Sequence, residues 1–201
     1  MNQFTGTKKK IYETALRLFA QKGYKSTSMR EIAKYSEISV SAIYNHFSNK
    51  DAILQAIIDD LEKSSLVDIF RNDAIENFIK GKATLKKVAN MFKLISYDAK
   101  TELLYRFMMQ ELFSSQKISS FYEQTLYQNN IKKLAKLFER MMQEGLIINT
   151  DPLFLAQEFF SSLFFYQMQI IRLKAQNKAS ASMATLFEKH TDLFWDRIKL
   201  R

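Results

Sequence analysis

The sequence predicts an all-α fold, and its composition gives the first reason. The chain of 201 residues contains four Gly and one Pro. β-Hairpins and the loops of nucleotide-binding α/β folds depend on such turn residues, so those folds are disfavoured. Apolar residues also recur at helical spacing along most of the chain. We therefore expect about nine helices.

The distribution of charge narrows the class of partner. Residues 1–50 carry nine Lys and Arg against three acidic residues, so a quarter of the chain holds +6 of the net charge of +9. A basic segment favours a polyanionic partner, most often nucleic acid, although a solvated basic face has the same composition. The N-terminal sequence lacks the apolar core of a signal peptide, so we expect a cytoplasmic protein.

The residue types also exclude several kinds of chemistry. The chain has no Cys, which excludes disulfides, zinc–thiolate sites and thiol catalysis. It contains no glycine-rich phosphate loop, nucleophile elbow or H-E-x-x-H motif. With two His in the chain, a metal site would need carboxylates, and no motif provides them. We expect no catalytic residues, no metal site and no cofactor, and hence no enzyme.

An apolar stripe near the N-terminus predicts the first helix. Ile11, Ala15 and Phe19 fall on one face at the spacing of an amphipathic helix. We expect Thr7 to cap its N-terminus and Gly23 to end it in a left-handed conformation.

A helix-turn-helix pattern follows the first helix. Ser28 and Glu31 match a capping box, which predicts the start of the second helix at Ser28. Ser39 is expected to cap a short third helix whose apolar face consists of Ile43 and Phe47. Its N-terminal residues are small, so its backbone can approach the major groove of DNA, which accommodates one α-helix.

The rest of the chain predicts longer helices. Ser48, with an acid three residues later, predicts the start of a fourth helix, and we expect Asp60 on its polar side. Asp151 followed by Pro152 is a strong helix start, because proline fits the first helical position. The remaining apolar stripes cover residues 85–95, 103–112, 131–142, 154–165 and 183–198.

The helix that starts at Pro152 is apolar around most of its circumference. Such a helix is buried on more than one side, so we expect a partner subunit, with a central core helix as the alternative. Glu158 and several Gln interrupt the stretch, which argues against a membrane span. The final helix has a similar apolar excess. The expected dimer interface comprises Phe159, Leu163, Tyr166, Phe187, Phe194 and Trp195.

The helix-turn-helix segment resembles the DNA-binding domain of the TetR/AcrR family of regulators. The resemblance covers residues 8–55 and rests on the letters SMREIA at 28–33, IS at 38–39, IYNHF at 43–47 and K at 50. Two glycines of the family pattern are replaced, by Glu37 in the turn and by Ser41 in the third helix. These replacements leave the fold plausible and the operator sequence open.

The resemblance implies a DNA-binding domain over residues 1–49 and a ligand-binding and dimerisation domain over residues 50–201. It implies a homodimeric transcriptional repressor that binds a palindromic operator in double-stranded DNA and is released by a small apolar or amphipathic ligand. Tyr44 and Lys50 resemble the phosphate-contacting residues of the family, and Asn45 suits adenine. The implied DNA-binding residues are Ser28, Arg30, Ser39, Val40, Ser41, Ala42, Tyr44, Asn45, His46 and Lys50.

Each of these positions also has a purely structural interpretation. Tyr44 is alternatively a core aromatic, and Asn45 a solvated helix residue. The resemblance also implies that Lys8, Lys9 and Lys10 add phosphate contacts from an N-terminal arm, and the alternative for this run is a frayed terminus. For a ligand pocket, the aromatic and methionine side chains of the second domain are candidates, although any of them fits a core position equally well. These candidates are Phe92, Tyr105, Met108, Met109, Phe113, Tyr122, Phe164, Phe165 and Met168.

Two other classes of function remain open from the sequence. One is a helical ligand-binding or interaction protein that has lost specific DNA binding, for which Glu37 and Ser41 are the support. The other is a membrane-associated helical protein, although we expect no membrane partner.

Overall fold

The computed structural model describes residues 4–64 and 81–200, and these residues form ten α-helices. A π-helical segment at Tyr122–Gln128 lies between the seventh and eighth, and a short 3-10 turn at Ala181–Met183 precedes the tenth. In the same residues, β pairing is limited to one bridge between Ile147 and Lys199, so the all-α prediction is confirmed. The helices are α1 (Gly6–Lys22), α2 (Met29–Ser36), α3 (Val40–Tyr44), α4 (Lys50–Lys63), α5 (Lys82–Tyr97), α6 (Ala99–Glu111), α7 (Gln116–Phe121), α8 (Asn129–Gln143), α9 (Pro152–Ala175) and α10 (Ala184–Ile198).

The helices divide into two compact units. The first contains α1–α4, α6 and α7, and the second contains α5, α8, α9 and α10. The two compact units therefore do not coincide with the expected domains, which meet between residues 49 and 50. Helices α6 and α7 belong to the same unit as the helix-turn-helix. The expected boundary concerns function and stays a prediction.

Helix α1 provides much of the core of the first unit. Ile11, Ala15 and Phe19 are fully buried, as the apolar stripe predicts. The expected cap was wrong, because the helix begins at Gly6 and Thr7 already lies in its first turn. At the other end, Gly23 adopts a positive φ of 88°, and its N–H donates to the carbonyl of Phe19.

The helix-turn-helix has the capping that the sequence predicts. The hydroxyl of Ser28 accepts the N–H of Glu31, and the hydroxyl of Ser39 accepts the N–H of Ala42. Between α2 and α3, Glu37 takes the left-handed conformation with φ 53° and ψ 44°. The turn that usually has a glycine thus forms with a side chain in place, at a steric cost to the backbone.

Two expectations about α4 were wrong. Asn49 is the capping residue, because its side chain accepts the N–H of Ala52, while Ser48 lies one residue too early. Asp60 is 8% exposed instead of lying on a solvated face. Its Oδ2 accepts the hydroxyl of Tyr12 of α1 at 2.6 Å and the ammonium of Lys100 of α6 at 2.7 Å. These two partners compensate the cost of burying the carboxylate.

The second unit is built on α9, which packs against α5, α8 and α10. Asp151 caps α9 by accepting the N–H groups of Leu153 and Phe154, and Pro152 occupies the first turn, as expected. In α10, the indole of Trp195 lies so close to Gly81 that a Cβ there would approach it to 2.6 Å.

Among the described helices, none is both long and apolar enough to cross a membrane.

The backbone of Glu37 leads to a prediction about stability. Replacing Glu37 with Gly removes the steric cost of the left-handed conformation, but it also removes the exposed ion pair with Lys10. The variant E37Q loses the same ion pair and keeps a side chain, so it is the matched control. We expect E37G to exceed E37Q in free energy of unfolding by about 1 kcal/mol, measured by urea denaturation. An E37G variant that is less stable than E37Q would contradict this account of the turn.

Candidate nucleic-acid interface

Helix α3 is short, and its inner side is fixed by two buried side chains. Ile43 has no exposed surface and Phe47 is 5% exposed. The ring of Phe47 meets that of Phe4 edge to face, with centroids 5.8 Å apart. A five-residue helix has little stability of its own, so these contacts and the Ser39 cap hold α3 in place. The residues between the two anchors are consequently turned to solvent.

The ten residues expected to bind DNA are all accessible. Val40, Ala42 and Lys50 are half-buried, and the others are exposed. Tyr44 is 52% exposed, which excludes the alternative that it is a core aromatic. The surface therefore presents hydroxyl, amide, imidazole and cationic groups of the kind that donate to phosphate and to base edges. Whether these groups contact DNA stays a prediction.

Lys50 is more constrained than the sequence suggests. Its ammonium donates to the carbonyl oxygens of Tyr24 and Thr27, both at 2.9 Å. The same ammonium lies 4.1 Å from the centroid of the Tyr24 ring, within the range of a cation–π interaction. Since an ammonium has three N–H groups, two bonds leave one for a further acceptor such as a phosphate oxygen.

Tyr24 connects α4 to the loop after α1. Its hydroxyl donates to Oδ1 of Asp51 at 2.5 Å, in the first turn of α4. Burial and the Asp51 carboxylate raise the pKa of the Tyr24 phenol, so the hydroxyl remains a donor at neutral pH. The sequence shows an aromatic residue, Tyr24, directly after Gly23, but it does not indicate which residues Tyr24 contacts.

Glu111, the last residue of α6, is a residue that sequence reasoning missed. It is 6% exposed, and its Oε1 accepts the backbone N–H of Tyr24 at 2.7 Å. Its Oε2 accepts the hydroxyl of Ser114 at 2.9 Å. Glu111 and Tyr24 lie 87 positions apart in the chain. Because local spacing carries no information about such a pair, no sequence pattern predicts it.

The three N-terminal lysines belong to α1, so the alternative of a frayed terminus is excluded. Lys8 lies 4.6 Å from the ring centroid of Phe4, and Lys10 pairs with Glu37 at 3.0 Å. Lys9 is 3.7 Å from Glu13. Exposed pairs of this kind contribute little to stability, so phosphate can replace the carboxylates as the partner of Lys9 and Lys10.

The expected pocket residues are divided between the two compact units. Tyr105, Met108, Met109, Phe113 and Tyr122 belong to the first compact unit, and Phe92, Phe164, Phe165 and Met168 belong to the second. Phe113 is 97% exposed. Among the described residues, no neighbour covers this ring, so the structure lends no support to Phe113 as a pocket residue and its assignment stays a prediction. Phe92, Tyr105 and Met108 are buried, which fits both a core and a pocket.

The expected dimer interface also needs correction. Phe159, Leu163, Phe187 and Phe194 are at most 2% exposed, because they form the core of the second unit. A side chain that the chain itself already covers has no surface left to bury against a partner, so these four assignments were wrong. The other two expected residues, Tyr166 and Trp195, are half-buried.

The two histidines occupy different environments. His46 is exposed in the turn after α3, whereas His190 stacks on Phe159 with ring centroids 5.6 Å apart. Burial lowers the pKa of His190, which favours the neutral imidazole of a core histidine. In the part of the chain that the structure describes, no three His, Asp or Glu side chains come together as a metal site. The absence of a metal site stays a prediction.

Comparison with known proteins points to one family. The family described as bacterial regulatory proteins of the tetR family matches residues 11–57. The chain is 55% identical over 51 residues to YuxN, described as an uncharacterized HTH-type transcriptional regulator of Bacillus subtilis. It is 26% identical over 140 residues to YttP, a probable HTH-type transcriptional regulator of the same organism.

These matches differ in extent. They cover 25% and 69% of this chain, and 18% and 64% of the lengths of YuxN and YttP. The solved structure of the TetR-family regulator PfmR from Thermus thermophilus aligns with 96% of this chain and 97% of its own, at a TM-score of 0.67 and 22% identity. The fold is thus shared over nearly the whole chain, while the sequence match is strongest in α1–α4. Residues 11–57 therefore match the tetR family of bacterial regulatory proteins, and the chain shares the fold of a solved TetR-family regulator.

Proposed function

We propose that the protein is a transcriptional regulator that binds double-stranded DNA through α3 and its surroundings. The observation that carries this proposal is the exposed surface of α3, which is capped by Ser39 and held from behind by Ile43 and Phe47. A helix of this kind enters the major groove with its N-terminal residues and its exposed side toward the bases. In this role the protein acts in the cytoplasm, where bacterial DNA lies.

The two replaced glycines do not argue against DNA binding. Glu37 adopts the left-handed conformation that the turn requires, so α3 keeps its position after α2. The hydroxyl of Ser41 lies 2.9 Å from that of Ser39 on the exposed side of α3, where it adds a polar group to the surface. The alternative of a helical ligand-binding or interaction protein that has lost DNA binding therefore has no support in the geometry of the turn.

The accessible residues divide into two roles. Asn45 presents an amide, which pairs with both N6 and N7 of adenine and distinguishes it from other bases. Tyr44 and Lys50 are suited to phosphate contacts, which fix the register of the protein on the duplex and contribute a salt-dependent part of the affinity. The basic side chains of α1 strengthen the same electrostatic attraction.

We further propose that the protein acts as a homodimer, through surfaces of α9 and α10 other than the expected ones. Phe154 and Phe165 of α9 and Leu193 of α10 are 59%, 51% and 64% exposed. On this face, Glu158 of α9 lies 3.7 Å from Arg197 of α10, which places the two helices side by side. Exposed apolar side chains on adjacent helices, with an ion pair among them, are typical of a subunit interface.

A dimer would account for regulation by a small apolar or amphipathic ligand. Two recognition helices contact successive major grooves when they lie about 34–36 Å apart, which also predicts a palindromic operator. A ligand that binds better to a state with another separation lowers the affinity for DNA by its differential affinity for the two states. Repression released by such a ligand is the simplest form of this regulation.

Replacing Asn45 tests the base-reading role. The affinity of wild-type protein is measured by fluorescence anisotropy on duplexes covering the DNA upstream of its own gene and on an unrelated duplex. On the duplex bound best, N45A should lose about 5- to 150-fold in affinity, because the bidentate contact to adenine is worth about 1–3 kcal/mol. The unrelated duplex should be bound as before, since the change removes no charge.

The matched control is Q21A, which truncates an exposed amide on α1 that is not among the ten residues expected to bind DNA. It should leave both affinities unchanged. An equal loss for N45A on the two duplexes, or no loss on either, would contradict the assignment of Asn45. Wild-type protein that prefers no duplex would contradict the proposed function.

Charge introduced on the exposed face of α9 and α10 tests the dimer. The double variant F165E/L193E should be monomeric in sedimentation velocity at concentrations where wild-type protein is dimeric, because buried like charges repel across a two-fold interface. The control is L94E, which introduces one negative charge at a leucine of α5 that is 61% exposed, against 64% for Leu193. A double variant that remains dimeric would show that the subunits meet elsewhere.

A further inference from the structure

We infer that Glu111 is a positioning residue for the DNA-facing ammonium of Lys50, and that it acts through Tyr24. The inference rests on the proposed function, since it concerns a phosphate contact. It adds a residue of α6, more than 60 positions from Lys50 in the chain, to the residues that prepare the DNA-binding surface. The three residues belong to the same compact unit.

The Glu111 carboxylate is held firmly. It is 6% exposed, and a carboxylate at this depth requires hydrogen-bond partners. The N–H of Tyr24 and the hydroxyl of Ser114 supply one donor to each of its oxygens. Hydrogen bonds to an ionised acceptor are about twice as strong as neutral ones, so the position of Glu111 determines where the Tyr24 amide lies.

Gly23 makes this approach possible. A Cβ at this position would lie 3.2 Å from Oε1 of Glu111, closer than ordinary van der Waals contact. The φ of 88° at Gly23 also turns the chain so that the next amide faces the carboxylate. The absence of a side chain at Gly23 therefore allows the C-terminal end of α6 to approach the C-terminal end of α1 closely.

Tyr24 connects Glu111 to the start of α4 through its hydrogen bonds. Its N–H is bonded to Glu111, while its carbonyl oxygen accepts the ammonium of Lys50 at 2.9 Å. Its ring lies beneath the same ammonium at 4.1 Å, and its hydroxyl is bonded to Asp51. Four parts of one residue are thus engaged, so a displacement of its amide also displaces the partners of Lys50.

Fixing Lys50 favours a phosphate contact. A free lysine loses much of its rotamer entropy when it binds phosphate, whereas one already held by two carbonyls and a ring has lost most of it in advance. Its remaining N–H is then available with a defined position. A shift at the C-terminal end of α6 would weaken the contact between Lys50 and phosphate without any change in α3. Such a shift would regulate DNA binding without changing the distance between the two recognition helices of a dimer.

A double-mutant cycle between Glu111 and Lys50 tests the inference. The affinity of wild type, E111A, K50M and E111A/K50M for one duplex is measured between 50 and 300 mM salt. K50M should reduce the slope of log affinity against log salt by about 0.9, the loss of one phosphate contact. E111A should weaken binding about two- to thirtyfold and reduce the slope in the same direction, and it should have no further effect once Lys50 is absent.

Three further variants separate positioning from general damage. E102A removes another acid of α6, Glu102, which pairs with Arg106 at 3.8 Å. This variant should leave the slope of log affinity against log salt unchanged. E111Q keeps an acceptor oxygen for the Tyr24 N–H and should recover part of the affinity. If E111A does not fold in a urea titration, S114A replaces it in the cycle, because it removes one of the bonds that hold Glu111 without changing the loop.

The outcomes are distinct for the inference and for the proposed function. A loss caused by E111A, or by S114A, that is the same with and without Lys50 would overturn the inference, because the effect would then be independent of the ammonium. A slope that K50M does not change would overturn it too, while leaving DNA binding intact. Wild-type protein that binds no duplex at any salt concentration would overturn the proposed function itself.

Discussion

The anchoring of a very short helix is the constraint on which the rest of the proposed DNA-binding surface depends. Helix α3 has five residues, too few for stable helix formation in isolation. It is held by the buried side chains of Ile43 and Phe47 and by the Ser39 cap, which together fix both ends of the segment. Because the inner positions are committed to packing, the intervening polar side chains are directed to solvent, where they are available to bases and phosphates.

Around this helix, polar contacts connect elements that are distant in sequence. Tyr24 bonds to Glu111 of α6 and to Lys50 and Asp51 of α4, while Asp60 bonds to side chains of both α1 and α6. Each buried carboxylate has two partners, so its desolvation is compensated. Hydrogen bonds depend on direction as well as distance, so α6 is well placed to influence the proposed DNA-binding surface.

Local sequence determined what could be predicted. Caps depend on residues three positions apart, and the expectations for Ser28, Ser39 and Asp151 are confirmed; Ser48 was wrong by one position because two neighbouring residues can both cap. The resemblance identified the family that matches residues 11–57. The burial of Asp60 and the role of Glu111 depend on partners 40 or more positions away. Aromatic content could not separate core from interface, because both bury apolar area, and four interface assignments were wrong for this reason.

Selection of bound DNA from a random pool tests the central claim most directly, because it assumes neither an operator nor a ligand. The protein is incubated with random duplexes at moderate salt, and the bound fraction is amplified and sequenced over several rounds. The proposed function predicts a two-fold symmetric consensus whose half-sites are centred about one helical turn apart, or a multiple of it. A bound pool with no enriched sequence after these rounds would contradict it.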